Sequence, residues 1–166
     1  MEAHFDFVWR SLRRLGLNDP DADDGTQEVF LVATRKLDQI LFGCERRFLF
    51  ATAVRVASTR RRSLRRRHEE QLTLASEHEC QQNGPERLAE MSRARHELQG
   101  ILDGMSDDQR SVFIAFELEE MTVPEIAETL TLPIGTVSSR LRAARGYFQS
   151  AIARLQAQRT FAQVRS

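Results

Sequence analysis

Two stretches of this sequence concentrate positive charge without a single acid. Residues 55–68 hold Arg55, Arg60, Arg61, Arg62, Arg65, Arg66 and Arg67, a net charge of +7. Residues 137–166 hold six arginines, a net charge of +6. Like charges at this density repel one another unless an anion relieves them. The phosphate backbone of a nucleic acid is such an anion, and each phosphate neutralised releases counterions. The remaining segments are acidic, at −2 for 1–54, −4 for 69–100 and −7 for 101–136, so the chain as a whole is neutral. The pattern predicts a polyanion gripped at two places. All but one of the basic residues are arginine, Lys36 being the exception. The planar guanidinium suits bidentate contacts to phosphate or guanine, although codon usage alone produces the same bias.

The second basic stretch begins inside a more specific pattern. Thr122 is suited to cap a two-turn helix, Val123–Leu130, with Pro124 and Glu125 in its first turn. Thr131-Leu132-Pro133 interrupts it, and a new helix opens at Ile134-Gly135-Thr136. A short helix, a tight break and a helix rich in small polar residues and arginine predict a helix-turn-helix. Ile126, Ala127 and Leu130 must then pack on Val137 and Leu141, with Ala127 small where the helices cross. The face left exposed carries Ser138, Ser139, Arg142 and Arg145, able to reach base edges and phosphates in a major groove. Arg142 is the best candidate for bidentate recognition of guanine. Thr136, Arg140 and Arg145 are expected to contact phosphate or to pack between helices. The plain alternative is a helical hairpin with a solvated basic face.

The elements that must position these residues read as helices throughout. Phe5, Val8, Leu12 and Leu15 share a helical stripe, and Gly16 sits where a C-terminal cap belongs. A turn at Asn18-Asp19-Pro20-Asp21 leads to a helix over about 20–37 that buries Val29, Phe30, Ala33 and Leu37. Gly25 within it costs about 1 kcal/mol relative to alanine. Residues 38–47 read as a connection, and 47–66 as a third helix carrying Phe48, Leu49, Ala51, Ala53, Val54 and Val56. Residues 69–85 are polar and aperiodic and end on Gly84-Pro85, which predicts a flexible linker. Further helices are expected over 86–102, with Leu88, Met91, Leu98, Ile101 and Leu102 inside, and over 107–119, opened by Ser106 with Gln109 three residues on. The latter buries Val112, Phe113, Ala115 and Phe116. The expected architecture is all-α: a domain at 1–68, the linker at 69–85, and a helix-turn-helix domain at 86–166.

Several classes of function are disfavoured. At 166 residues, with 41% hydrophobic and 29% charged, the chain can build small packed cores. No apolar run approaches the length of a membrane span. The start, Met-Glu-Ala-His-Phe-Asp, lacks the pattern of a secretory signal. Cys44 and Cys80 make no disulfide framework, and a reduced cytoplasm is the expected compartment. His78-Glu79-Cys80 is the only cluster of metal-ligand types, and adjacent residues on a helix cannot share one ion. No phosphate loop or nucleophile motif is present, so no cofactor and no catalytic activity are expected.

The motif blocks carry a resemblance. Leu102-Asp103-Gly104-Met105-Ser106-Asp107-Asp108-Gln109-Arg110, Pro124-Glu125-Ile126-Ala127 and Pro133–Leu141 resemble region four of bacterial sigma factors. Asp21–Leu31, then Phe48-Leu49-Phe50 leading into Arg60-Arg61-Arg62, resemble region two. With only these two regions and a short linker, the chain is similar to extracytoplasmic-function (ECF) sigma factors over about 4–66 and 86–155. It departs from the family pattern at Phe48, where tryptophan is usual, at Val54-Arg55, at Gly25-Thr26, and at Ala143, where many relatives carry arginine.

The resemblance implies a factor that binds core RNA polymerase and directs promoter-specific initiation in the cytoplasm, associated with the nucleoid. By position, Asp24, Gln27, Glu28, Phe30 and Leu31 would dock on the polymerase. Ser138, Ser139, Arg142 and Ala143 would read the minus-thirty-five element of promoter DNA. Arg55, Arg60, Arg61, Arg62, Arg65 and Arg66 would grip DNA beside the minus-ten element. The connection 38–47 matches a loop that captures a flipped base, and Phe48 and Phe50 are aromatic candidates for stacking on unpaired bases. The resemblance also allows an anti-sigma factor as a partner. A stand-alone helix-turn-helix regulator is the competing reading. It accounts for 121–148 but leaves Asp21–Leu31 and the first arginine run unexplained.

Overall fold

Periodicity and caps place the helices. The computed structural model describes residues 2–71 and 86–164. Helix α1 spans Glu2–Arg14, α2 Asp19–Arg35, α3 Glu45–Gln71, α4 Glu86–Asp103, α5 Asp107–Phe113, α6 Val123–Leu130 and α7 Ile134–Val164. A short 3-10 turn, Leu37–Gln39, follows α2, and a π turn, Ile114–Leu118, follows α5. Contacts divide the chain into two compact units, residues 1–100 and 101–166. Among the described residues no helix is long and apolar enough to cross a membrane.

In the first unit α1, α2 and α3 pack against one another. Val8, Leu12 and Leu15 of the α1 stripe are buried with Val29, Ala33, Phe50 and Ala53. Gly16 takes a left-handed φ of 94°, and the Leu17 N–H closes back on the Leu12 carbonyl at 3.2 Å, which ends α1. Asn18 caps α2 by accepting the Asp21 N–H at 2.8 Å. Gly25 is buried where a Cβ would stand 3.1 Å from Leu12 Cδ1, so its helical cost is offset by the close approach of α1 and α2.

Some expectations give way. Phe5, placed on the α1 stripe, is 45% exposed and stacks on Phe30 with ring centroids 6.2 Å apart. Leu37, expected inside, is 62% exposed, because α2 has already ended at Arg35 and the chain turns at Lys36. The third helix starts at Glu45 and runs to Gln71, into the first residues of the expected linker. Residues 72–85, with His78-Glu79-Cys80, lie outside the described residues.

In the second unit α7 packs on α5 and α6. Ser106 caps α5 by accepting the Gln109 N–H at 3.3 Å. Ile101, Leu102, Val112, Phe113 and Ile126 are buried with Val137, Leu141 and Ala144. The side chains of Leu88 and Met91 lie outside the described residues. The largest fully buried side chain is Arg110, which donates to the Met105 carbonyl at 3.3 Å and pairs with Asp103 at 3.3 Å. The helix expected over 107–119 is α only to Phe113 and π beyond it.

Candidate nucleic-acid interface

Local chemistry builds the helix-turn-helix. The Thr122 and Glu125 side chains form a reciprocal capping box, with Glu125 Oε2 accepting the Thr122 N–H at 2.8 Å. At the other end of α6, Thr131 adopts a left-handed conformation, φ 55° and ψ 51°. The Leu132 N–H then reaches back to the Ala127 carbonyl at 2.8 Å, a Schellman-type closure that turns the chain toward α7. The Pro133 carbonyl accepts the Thr136 and Val137 N–H groups at 2.9 and 3.1 Å and starts the recognition helix. Ile126, Ala127, Val137 and Leu141 are buried between the two helices, with Leu130 half-buried at the edge.

On the outer side of α7, Ser139, Arg142 and Ala143 are exposed, and Ser138 and Thr136 are half-buried. Ser139 donates to the Thr136 carbonyl at 3.0 Å, so its hydroxyl is turned along the helix. Two of the expected DNA contacts are engaged within the unit. Arg140 pairs with Asp108 at the start of α5. Arg145 donates through Nε to Glu117 at 2.6 Å, with its guanidinium 4.6 Å from the centre of the Phe116 ring. Arg142 is exposed and has neither kind of tether among the described residues.

The first arginine run is sorted by its neighbours. Arg60 lies against the acidic face of α2, with Glu28 at 3.2 Å, Asp24 at 3.8 Å and Asp21 at 3.9 Å. The structure thus joins Arg60, expected on DNA, to Asp24 and Glu28, expected on polymerase. Arg61 donates to the Leu15 carbonyl at 3.1 Å and closes the end of α1. Arg55, Arg62 and Arg66 are exposed, and the Arg65 side chain lies outside the described residues. Gln27 is exposed, Phe30 is half-buried and Leu31 is 53% exposed, so Asp24, Gln27, Glu28 and Leu31 share an accessible α2 surface.

Of the two aromatic candidates for base stacking, Phe50 is wholly buried and faces the core, while Phe48 is half-buried. Phe42, which the sequence pattern does not single out, is fully exposed in the connection before α3, beside Leu41 at 74%. Gly43 turns the loop with φ 80°, and its N–H donates to Glu45 Oε1 at 3.0 Å. The backbone N–H groups of Glu45 and Gly43 hold the Glu45 carboxyl below its ordinary pKa.

The geometry defines a helix-turn-helix whose second helix offers a polar and basic outer face. Residues 95–148 match the family model described as Sigma-70, region 4. Over 159 residues the chain is 29% identical to the ECF RNA polymerase sigma factor SigE of Mycolicibacterium smegmatis, covering 93% of this chain and 60% of that relative's length. The fold is similar to that of the sigma factor RpoE solved with the anti-sigma factor NepR from Bartonella quintana, with a TM-score of 0.70, 20% identity and coverage of 90% and 91% of the two chains. It is also similar to CnrH solved with the cytosolic domain of CnrY, with a TM-score of 0.60, 21% identity and coverage of 94% and 84%. The described residues are therefore all-helical with a region-four-type module, and the chain is similar to the ECF sigma factor SigE along nearly its whole length.

Proposed function

We propose that this chain is a sigma factor of the ECF type, which binds core RNA polymerase in the cytoplasm and directs it to specific promoters. The observation that carries the reading is that the helix-turn-helix with Ser139, Arg142 and Ala143 on its open face falls inside the region-four match at 95–148. Arg142 reads a base edge of the upstream element, flanked by Ser138, Ser139 and Ala143. Thr136, Arg140 and Arg145 lie where they border the DNA backbone.

In the first unit Asp24, Gln27, Glu28, Phe30 and Leu31 form the polymerase-docking surface. Arg55, Arg62, Arg65 and Arg66 follow the phosphates of the downstream element, with Arg60 and Arg61 at the margin of that surface. Leu41 and Phe42 offer an apolar tip on which a base extruded from the downstream element stacks. One structural neighbour was solved with an anti-sigma factor and the other with the cytosolic domain of a second protein, which supports an antagonist of that kind as a further partner. The role is one of binding, without catalysis by this chain.

Transcription in vitro with core polymerase, followed by mapping of start sites, tests the reading. Specific initiation that depends on the chain is the expected result. A chain that never supports initiation, yet binds a palindromic duplex tightly without polymerase, is instead a stand-alone regulator.

A further inference from the structure

The helix opened by Ser106 does not keep its α geometry. Beyond Phe113 it widens into the π turn Ile114–Leu118, where the Glu119 N–H reaches the Ile114 carbonyl at 3.0 Å. It stops at Glu120, whose φ of 56° is left-handed. A π turn inserts one residue into the helix and points the side chains beyond it to a different face. Here it sets Phe116 and Glu117 together against α7. Glu117 Oε1 accepts the Arg145 Nε–H at 2.6 Å, and the Phe116 ring lies under the same guanidinium at 4.6 Å. Three residues along α7, Phe148 packs on Phe113 with centroids 5.1 Å apart and ties the same two surfaces.

One edge and one face of the Arg145 guanidinium are therefore held. Its Nη groups carry no hydrogen bond among the described residues, and the side chain remains 47% exposed. On a helical period Ser138, Arg142 and Arg145 lie on one stripe, so the open edge of Arg145 continues the face expected to enter the groove. We propose that Glu117 and Phe116 are positioning residues that hold Arg145 ready as a phosphate clamp, and so set how the recognition helix lies in the groove. The inference rests on the DNA-reading role proposed above for α7. An arginine already held on two sides loses little freedom when it meets a phosphate. Phosphate contacts fix register, so the benefit falls on the bases that Arg142 reads.

The test is equilibrium binding of the full chain, assembled with core polymerase, to duplexes carrying the mapped upstream element or a scrambled one. Glu117→Ala should weaken binding to the upstream element about fivefold, the size expected for losing one immobilised side chain. Glu117→Gln keeps an acceptor for the Arg145 Nε–H and should restore binding to within about twofold. In an Arg145→Ala background, Glu117→Ala should add nothing, because its effect passes through Arg145. If Glu117→Ala and Glu117→Gln both tighten binding, Glu117 competes with phosphate and the proposal is overturned. An equal loss with and without Arg145 overturns it too, since Glu117 would then act through the fold. If the wild-type complex does not distinguish the two duplexes, the sigma-factor reading itself falls, and the clamp with it.

Discussion

Arg60 of α3 and Glu28 of α2 meet at 3.2 Å, and Asp24 and Asp21 flank the pair within 4 Å on the same face of α2. Two features that are separate in the sequence, an acidic surface and an arginine run, are thereby one electrostatic network. The Arg60 side chain is 27% exposed and Glu28 is 46% exposed, so solvent screens the pair and its own worth is small. Removing Arg60 also leaves three carboxylates facing one another. Arg60→Ala should lower stability by about 1 kcal/mol at low salt and by less at high salt. Urea unfolding at two ionic strengths measures it. A loss that salt does not change would point to packing instead of charge.

The same sorting separates the arginines of α3 on DNA. Arg62 and Arg66 are exposed, whereas Arg60 and Arg61 are held by Glu28 and by the Leu15 carbonyl. Arg62→Ala and Arg66→Ala should each lower the salt slope of promoter binding by about one unit, on every promoter alike. Arg60→Ala should change the slope less. Equal slopes for all three single variants would show that the internal contacts of Arg60 are surrendered on DNA.

Arg142 should behave differently from all of these. It is exposed on the recognition face and, among the described residues, has no internal partner of the kind that holds Arg140 and Arg145. Arg142→Ala should cost about 1–3 kcal/mol on the cognate upstream element and relax discrimination at one or two positions. Binding across a library of upstream sequences reads this directly. A uniform loss over the library would make Arg142 a phosphate contact and pass the reading role to Ser138 or Ser139.

Thr131 is a β-branched residue in the left-handed region, at φ 55°. That conformation costs a side chain with a Cβ about 1–2 kcal/mol, while glycine enters it freely and loses more entropy on folding. Thr131→Gly should therefore stabilise the second unit by up to about 1 kcal/mol, seen as a higher midpoint in thermal unfolding. A lower midpoint would mean that the threonine side chain makes a contact worth more than the strain.

Arg110 is wholly buried and ties the end of α4 to the start of α5 through Asp103 and the Met105 carbonyl. Arg110→Ala leaves a cavity and an unanswered carbonyl, and should cost about 3 kcal/mol. Arg110→Met fills the space and should cost less. Denaturant midpoints of the two variants decide it, and equal losses would assign the whole effect to the hydrogen bonds.

The sequence by itself determined what depends on residues a few positions apart. Helix periods, the Thr122 and Ser106 caps, Gly16 at the end of α1, the turn at Asn18–Asp21 and the break at Thr131-Leu132-Pro133 are all local, with partners three to five residues away. These were legible, and so was the pairing of Ile126 and Ala127 with Val137 and Leu141 across a three-residue break. The tertiary structure alone decided which arginines face solvent and which are held. Arg60 meets Glu28 across 32 positions, Arg61 meets Leu15 across 46, and Arg145 meets Glu117 across 28. It also decided that Phe50 is core while Phe42 is bare, and that the helix after Ser106 widens to bring Phe116 and Glu117 to Arg145. A charge run or an aromatic pair announces its chemistry in the sequence. Its availability depends on what the packing of distant helices sets beside it, and no local period records that.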